Sequence, residues 1–178
     1  MSLMKKLSLS LFSILILFLT TPSFTAEIKE ITRDGKKLEV IDGDTIKIDN
    51  FKIRLHGIDA PEMGQICLDK KKEPYDCGLY SKRYLKKLIG KREIVCVYNS
   101  LDVYKRILGT CYRGSRNPDT GIDGIMNLNY MMVATGKAVA FIKYSTRYFK
   151  AEKFARRNNS GIWQGKFETP WEWRKKNK

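Results

Sequence analysis

The segment that decides the fold runs from Val40 to Glu62 and reads VIDGDTIKIDNFKIRLHGIDAPE. Apolar residues alternate with polar ones along its length, at Ile46, Ile48, Phe51, Ile53 and Leu55. A period of two predicts strands that are buried on one side only. An Asp-Gly pair and an Asp-Asn pair separate the apolar runs and supply turns. The segment therefore predicts short antiparallel strands joined by tight turns.

The same segment carries a concentration of groups suited to phosphate chemistry. Asp44, Asp59 and Glu62 are carboxylates, the ligands that hard divalent cations prefer. Arg54 lies on the strand between them, and arginine pairs with phosphate through two parallel hydrogen bonds. An Asp-Gly pair alone is more typical of a turn than of a metal site. The rigid Asp-Ala-Pro-Glu turn favours the chemical interpretation, because its proline holds the two flanking carboxylates at a fixed separation.

The remainder of the chain alternates strands and helices. Strands are predicted at 93–98 and 107–112, and a brief extended piece at 138–141. Apolar residues at helical spacing predict helices near 80–88, 128–132 and 148–155, the first two ended by Gly90 and Gly136. The fold class predicted is α+β: a five-stranded, partly open β-barrel like the OB-fold, with about three helices.

Residues 1–26 have the three parts of a secretory signal peptide. Lys5 and Lys6 precede an apolar run from Leu7 to Leu19, and small and polar residues follow it. The run is short for a membrane span, which needs roughly 20 residues, although an uncleaved anchor remains the alternative. We expect cleavage near residue 26 and a single domain over 27–178. The processed protein would have no stable membrane span and would be secreted or periplasmic.

The chain is strongly basic, which suggests a polyanionic partner. Its formal charge is +15, and removal of 1–26 lowers this to +13 because that segment contains two lysines and no acidic residue. Nucleic acid and an anionic membrane surface are the partners that such a charge favours. A solvated basic surface without a partner is the alternative.

Four cysteines lie in the part of the chain beyond the leader: Cys67, Cys77, Cys96 and Cys111. An even number in an exported chain indicates disulfides, with three possible connectivities. Zinc ligation is a poor alternative, because the chain has one histidine and no Cys-x-x-Cys pair.

Three motifs in this order resemble the signatures of the micrococcal (thermonuclease-like) nuclease family: VIDGDT, RLHGIDAPE, and DVYKR at 102–106. GKAVAF at 136–141, AEKFAR at 151–156 and the closing SGIWQGKFETPWEWR also fit that family. The resemblance covers residues 36–174, and the cysteine-bearing loop and the PWEWR ending resemble its exported bacterial branch. It implies a calcium-dependent endonuclease that cuts DNA and RNA with little sequence specificity and leaves 3′-phosphates.

The resemblance also implies roles for individual residues. Arg54 and Arg106 resemble the two catalytic arginines, and Glu62 resembles the glutamate assigned as general base. Arg106 differs in its context, since the family usually has glycine where this chain has Lys105. Asp44 and Asp59 resemble the calcium-binding aspartates.

Three further site predictions go with this assignment. The backbone carbonyl of Ala60 falls where a third calcium ligand is expected, although the family often has threonine there. With only two protein carboxylates, water and substrate must complete the coordination shell, so we expect weak Ca²⁺ binding without substrate. Tyr104 and Tyr144 are candidates for contacting the nucleotide or stacking on a base.

For the cysteines we favour a Cys67–Cys77 bridge after the catalytic turn and a Cys96–Cys111 bridge across two strands. The second bridge requires that its two residues be opposed on one face, and a free buried thiol at either position is the alternative.

The leading hypothesis is a secreted endonuclease, expected to be a monomer, with DNA and RNA as substrates. The first alternative is a catalytically inactive OB module that binds nucleic acid. The second is a basic periplasmic protein that binds anionic lipid or cell-wall polymer, which leaves Glu62 and Arg106 unexplained.

Overall fold

The computed structural model describes residues 27–117 and 121–177, so the predicted signal peptide lies outside the described residues. The strands are β1 Lys29–Asp34, β2 Leu38–Val40, β3 Thr45–Ile48, β4 Phe51–Leu55, β5 Ile58–Asp59, β6 Ile66–Leu68, β7 Pro74–Asp76, β8 Glu93–Leu101, β9 Ile107–Asn117, β10 Gly121–Asn127 and β11 Val139–Ala140. The α-helices are α1 Cys77–Ile89, α2 Leu128–Ala134, α3 Phe149–Arg157 and α4 Pro170–Lys176. Two short 3₁₀ helices span Gly35–Lys37 and Gly161–Gln164.

One mixed sheet, curled into a half-barrel, forms the body of the protein. Its strand order is β1-β8-β9-β4-β3-β2. Strand β10 pairs with residues 112–117 of β9, beyond the part of β9 that pairs with β4. The β4–β9 pairing is parallel and the other pairings in the sheet are antiparallel. Two small sheets, β5 with β11 and β6 with β7, lie beside it and carry the segments that follow β4.

The predicted α+β class and OB-fold-like architecture are confirmed. All five predicted strands are present as β2, β3, β4, β8 and β9, and the three predicted helices are α1, α2 and α3. The structure adds β1 and β10 to the sheet and α4 at the end of the chain. Strand β1 was not predicted because it is a mostly exposed edge with the sequence KEITRD, which offers a single large apolar residue to a periodicity argument.

The hydrophobic core lies between one face of the sheet and the helices. Ile46, Ile53 and Leu55 are fully buried there, and Leu85 of α1 and Leu128 of α2 close the core from the helical side. The alternation that predicted the strands therefore places the polar residues between these positions, Arg54 among them, on the opposite side of β4.

Helix boundaries follow from local capping. The Asp76 side chain accepts a hydrogen bond from the backbone N–H of Leu79 at the start of α1, and Asn127 does the same for Tyr130 at the start of α2. Helix α1 ends at Gly90, whose φ of 59° lies in the left-handed region that favours glycine. No helix in the described part of the chain is both long and apolar enough to span a membrane.

Both favoured disulfides are present. Cys67 and Cys77 have Cα atoms 5.6 Å apart, and Cys96 and Cys111 have Cα atoms 4.0 Å apart. The second pair is directly opposed in the β8–β9 register, as the sequence argument required. The alternative of a free buried thiol is wrong, because all four cysteines are bonded.

Candidate active site

The β3–β4 hairpin presents Arg54 next to the residues that precede β3. Thr45 is the cross-strand partner of Arg54, so Asp44 lies at the end of the same hairpin. The backbone N–H of Leu55 donates to the carbonyl of Asp44 at 2.8 Å, which fixes Asp44 relative to β4. The hairpin therefore brings an aspartate and an arginine together from positions ten residues apart in the sequence.

Arg54 bridges two buried carboxylates. Its Nη1 atom pairs with Asp44 Oδ1, and its Nη2 atom lies 2.7 Å from Asp59 Oδ1. The Asp59 side chain is 0% exposed and that of Arg54 only 13% exposed. Because one guanidinium contacts both aspartates, the two carboxylates lie side by side on the wall of the site.

Asp44 is held in its ionised form by its surroundings. Burial alone would raise its pKa, but the charge of Arg54 and a hydrogen bond from the backbone N–H of Ala60 hold the pKa below its usual value. The Ala60 N–H lies 2.8 Å from Asp44 Oδ2, and the Thr45 hydroxyl donates to Oδ1 at 3.0 Å. Asp42, beside it in the turn, has a pKa raised to about 6 by burial and by the charge of Asp44.

Glu62 is positioned through its backbone. Its N–H donates to the side-chain oxygen of Gln65 at 3.0 Å, and its carbonyl accepts from the Gln65 backbone N–H at 2.9 Å. Gln65 is fully buried and also donates to the carbonyl of Glu168 at 2.7 Å. Gly78 packs so closely that a Cβ there would lie 1.8 Å from the Glu62 carbonyl oxygen. The turn that carries Glu62 is thus packed between the first turn of α1 and the segment before α4.

Sequence reasoning missed the third arginine of the site. Arg174, on α4, lies with Nη1 2.5 Å from Glu62 Oε1 and with Nη2 2.9 Å from Asp59 Oδ2. The PWEWR segment was noted as a family feature, but its residues are more than 110 positions from these carboxylates. No local pattern could predict that contact. We refer to Asp44, Asp59, Glu62, Arg54 and Arg174 together as the carboxylate cluster.

Arg106 lies apart from the carboxylate cluster in the sequence but on the same side of the sheet. Ile53 and Ile107 are partners in the parallel β4–β9 pair, and both are buried in the core. The alternation of side chains then places Arg54 and Arg106 on the opposite face of neighbouring strands, two residues out of register. The register therefore puts Arg106, the residue before β9, on the face of the sheet that carries Arg54.

Arg106 is oriented within its own turn. Asp102 Oδ2 accepts from Arg106 Nε at 2.7 Å, and Asp102 Oδ1 accepts from the backbone N–H groups of Tyr104 and Arg106, each at 2.9 Å. We call this segment the 102–106 turn. Its aspartate acts as a local anchor that sets the direction of the arginine.

Comparison with known proteins shows the family of the chain. A family model described as staphylococcal nuclease homologue matches residues 52–165. The micrococcal nuclease of Shigella flexneri is 31% identical over 153 residues, covering 81% of this chain and 82% of that protein. The chain belongs to the staphylococcal nuclease homologue family.

Other relatives share the domain within proteins of different length. Succinoglycan biosynthesis protein ExoI of Rhizobium meliloti is 34% identical over 131 residues, which is 72% of this chain and 64% of that protein. A probable staphylococcal-like nuclease of Oryza sativa is 30% identical over 156 residues, and this chain covers only 37% of it. The family is a nuclease family, and this chain spans between about a third and four fifths of the relatives named here.

The structure explains one departure from the family pattern. Lys105 stands where the family usually has glycine, and its φ is 61°, in the left-handed region. A residue with a Cβ is disfavoured there, whereas glycine is not. The 102–106 turn thus holds Lys105 in a backbone conformation that a residue with a Cβ rarely adopts.

The two predicted base-contacting tyrosines are both on the surface. Tyr104 is 77% exposed, and the Arg106 guanidinium lies 5.5 Å from its ring centroid. Tyr144 is 61% exposed and makes an edge contact with Phe141, which in turn stacks on Trp171 of α4. Trp171 therefore packs against the domain. Tyr104 flanks Arg106, whereas Tyr144 is linked through two rings to the helix that carries Arg174.

The carboxylate cluster fits a divalent cation in its donor chemistry. Asp44 and Asp59 offer hard oxygen ligands side by side. When Asp42 and Glu62 are counted with them, the carboxylates outnumber the guanidinium groups of Arg54 and Arg174. The described residues contain no group of three or more His, Cys, Asp or Glu side chains arranged to hold a metal ion. Within the described part of the chain, side chains alone therefore do not form a complete coordination shell.

Proposed function

We propose that this protein is an exported, calcium-dependent endonuclease that hydrolyses phosphodiester bonds in DNA and RNA with little sequence specificity. The observation that supports it best is the Arg54 guanidinium joining two buried carboxylates beside Glu62, in a chain of a nuclease family. Resemblance to the family further implies products with 3′-phosphates.

In this proposal Arg54 and Arg106 act on the phosphate. Attack on a phosphodiester adds negative charge to a group that is already anionic, so preorganised positive donors stabilise the transition state more than the substrate. Arginine suits this task because its fork contacts two oxygens at once. The rigid strand that holds Arg54 and the aspartate anchor of Arg106 both keep the donors oriented before substrate arrives.

Glu62 is the proposed general base. Its side chain is 30% exposed, which leaves it accessible to water while Gln65 fixes its backbone. Its carboxylate would take a proton from the attacking water as the new bond to phosphorus forms. The bond between phosphorus and the 5′-oxygen would break in the same displacement, and the departing 5′-oxygen would take up a proton from solvent. Arg174 touches the same carboxylate and holds it toward the site.

Asp44, Asp59 and the Ala60 carbonyl are the proposed ligands of Ca²⁺. A divalent cation bound to these oxygens would place positive charge next to the scissile phosphate. Water and the substrate would supply the remaining ligands.

The substrate is proposed to be flexible or single-stranded nucleic acid. The formal charge of the chain is +15, which favours any polyanion, and Tyr104 is an exposed ring beside Arg106 on which a base could stack. Tyr144 is proposed as a second contact with the nucleotide.

Export and a monomeric state complete the proposal. Residues 1–26 have the composition of a signal peptide, and two disulfides are typical of an oxidising compartment. All the proposed site groups come from one chain, so a monomer is sufficient for activity.

The test is cleavage of denatured DNA by the purified protein with Ca²⁺ or with chelator, repeated with Glu62→Gln. We expect Ca²⁺-dependent cleavage that falls by roughly 10²–10⁴-fold in the variant. Glu39→Gln removes an exposed carboxylate from β2 and should cleave like the parent protein. Tight binding without cleavage in all proteins would instead identify an inactive binding module. Equal cleavage by Glu62→Gln would remove Glu62 from the mechanism.

A further inference from the structure

The Asp59 carboxylate contacts two guanidinium groups at once, those of Arg54 and Arg174. Its Oδ1 accepts from Arg54 at 2.7 Å and from Arg174 at 3.0 Å, and its Oδ2 accepts from Arg174 at 2.9 Å. Both oxygens of a proposed cation ligand are thus in contact with guanidinium groups. A cation that binds Asp59 must displace at least part of this arrangement, because guanidinium N–H groups and a metal cation use the same lone pairs of the carboxylate oxygens.

Arg54 and Arg174 differ in how firmly they are held. Arg54 lies within a paired strand, and its side chain is 13% exposed. Arg174 is on the last helix of the chain, and its side chain is 34% exposed. Of the two guanidinium groups, that of Arg174 is the one that can turn away without disturbing the sheet.

The base of α4 is anchored independently of Arg174. Pro170 is buried, and the Trp171 ring stacks on Phe141 with centroids 5.5 Å apart and planes 2° from parallel. Arg174 follows Trp171 by three residues, so it lies about one turn further along the helix. A rotation of the Arg174 side chain can therefore release Asp59 while α4 stays in place.

Arg174 also contacts Glu62, the proposed base. The Nη1 atom that lies 3.0 Å from Asp59 Oδ1 is the same atom that lies 2.5 Å from Glu62 Oε1. Repulsion between two neighbouring carboxylates is reduced by a positive charge placed between them. In the protein without a cation, Arg174 supplies that charge.

We propose that Arg174 is a positioning residue that holds Asp59 and Glu62 together and competes with a divalent cation for Asp59. Binding of the cation releases the guanidinium from Asp59, while its contact with Glu62 remains available. This inference rests on the proposed assignment of Asp59 as a cation ligand, but it concerns binding and does not require that the protein cleave nucleic acid.

The first test is calorimetric titration of the purified protein with calcium chloride in the absence of nucleic acid. Arg174→Gln should bind Ca²⁺ roughly tenfold more tightly than the parent protein, because a competing unit charge has been removed from the site. Arg174→Lys, which keeps the charge but not the two-pronged contact, should lie between them. Lys175→Gln removes the same charge from an exposed neighbour and should bind like the parent protein.

An increase in affinity distinguishes competition from a purely structural role, since a variant with a disordered site would bind Ca²⁺ less tightly. Equal or weaker binding by Arg174→Gln would overturn the proposal, as would an equal increase in Lys175→Gln or the absence of binding in every protein. Failure of the proposed function has a different signature: normal Ca²⁺ binding with no cleavage of denatured DNA.

A second measurement uses the parent protein and does not depend on the folding of Arg174→Gln. The Nε–H signals of the arginines are recorded by NMR during a Ca²⁺ titration, with Arg174 assigned by comparison with Arg174→Lys. The Arg174 signal should move as Ca²⁺ binds, and that of Arg33, which pairs with Asp49 in the β3–β4 turn, should not. An unchanged Arg174 signal at saturating Ca²⁺ would overturn the proposal.

Discussion

The carboxylate cluster and the 102–106 turn supply arginines to the same side of the sheet by different means. In the cluster, Asp44 contacts a residue 16 positions away, and Arg174 contacts carboxylates 112 and 115 positions away. In the turn, Asp102 contacts residues two and four positions away. The carboxylate cluster therefore forms only when distant parts of the chain fold together, whereas hydrogen bonds within the 102–106 turn orient Arg106 locally.

The two regions also differ in burial, and so in the expected consequence of removing an arginine. Asp59 and Asp44 are almost completely buried, so their charges have little access to water if Arg54 is lost. Asp102 and Arg106 are partly exposed, with side chains 15% and 28% accessible. Water can replace much of an exposed ion pair but little of a buried one.

The largest effect is expected for Arg54→Gln, which should lower the free energy of unfolding by about 3–5 kcal/mol because it leaves two buried carboxylates without their shared partner. Denaturant unfolding followed by circular dichroism measures this. Lys52→Gln, an exposed neighbour on the same strand, is the matched control and should change stability by less than about 0.5 kcal/mol. A similar loss in both variants would show that the cluster is not the source of the effect.

For Arg106→Gln the expected loss is in rate and not in stability. Cleavage of denatured DNA should fall by roughly 10²–10³-fold, because a positive donor to the transition state has been removed. The free energy of unfolding should fall by less than about 1 kcal/mol. A large loss of stability with little loss of rate would reverse the comparison and assign Arg106 a structural role.

The smallest effect concerns the strained residue of the 102–106 turn. Lys105→Gly should raise the free energy of unfolding by up to about 1 kcal/mol, because glycine adopts the observed φ of 61° without a Cβ penalty. Lys105→Ala removes the same charge but keeps a Cβ, so it should give no such gain. An equal gain in both variants would show that the effect comes from the lost charge and not from the backbone conformation.

These differences also decide what the sequence could predict. The half-buried strands of the β3–β4 hairpin were predictable, because Ile46, Ile48, Ile53 and Leu55 alternate with polar residues and all four are fully buried. The Cys96–Cys111 bridge was favoured from the placement of the two predicted strands, and the register that opposes the two residues came from the structure. Periodicity and spacing are local signals, and both features depend on them.

The contacts that escaped prediction are long-range polar ones. Gln65 bonds to the backbone of Glu62 and Glu168, and Arg174 bonds to the carboxylates of Asp59 and Glu62. Neither residue has a periodic or motif-based mark that ties it to these partners. Helix α4 has only seven residues, too few for a periodicity argument. The conformation of Lys105 was partly foreseeable, because the family's usual glycine at that position suggests a left-handed backbone.

The central claim is that the carboxylate cluster and the 102–106 turn act on one phosphate. The most direct measurement is a crystal structure of the protein with Ca²⁺ and a nucleoside 3′,5′-bisphosphate. The account predicts Ca²⁺ bound to Asp44 and Asp59, and a single phosphate contacted by both Arg54 and Arg106. A phosphate bound by Arg54 with Arg106 directed elsewhere, or a cation remote from both aspartates, would contradict it.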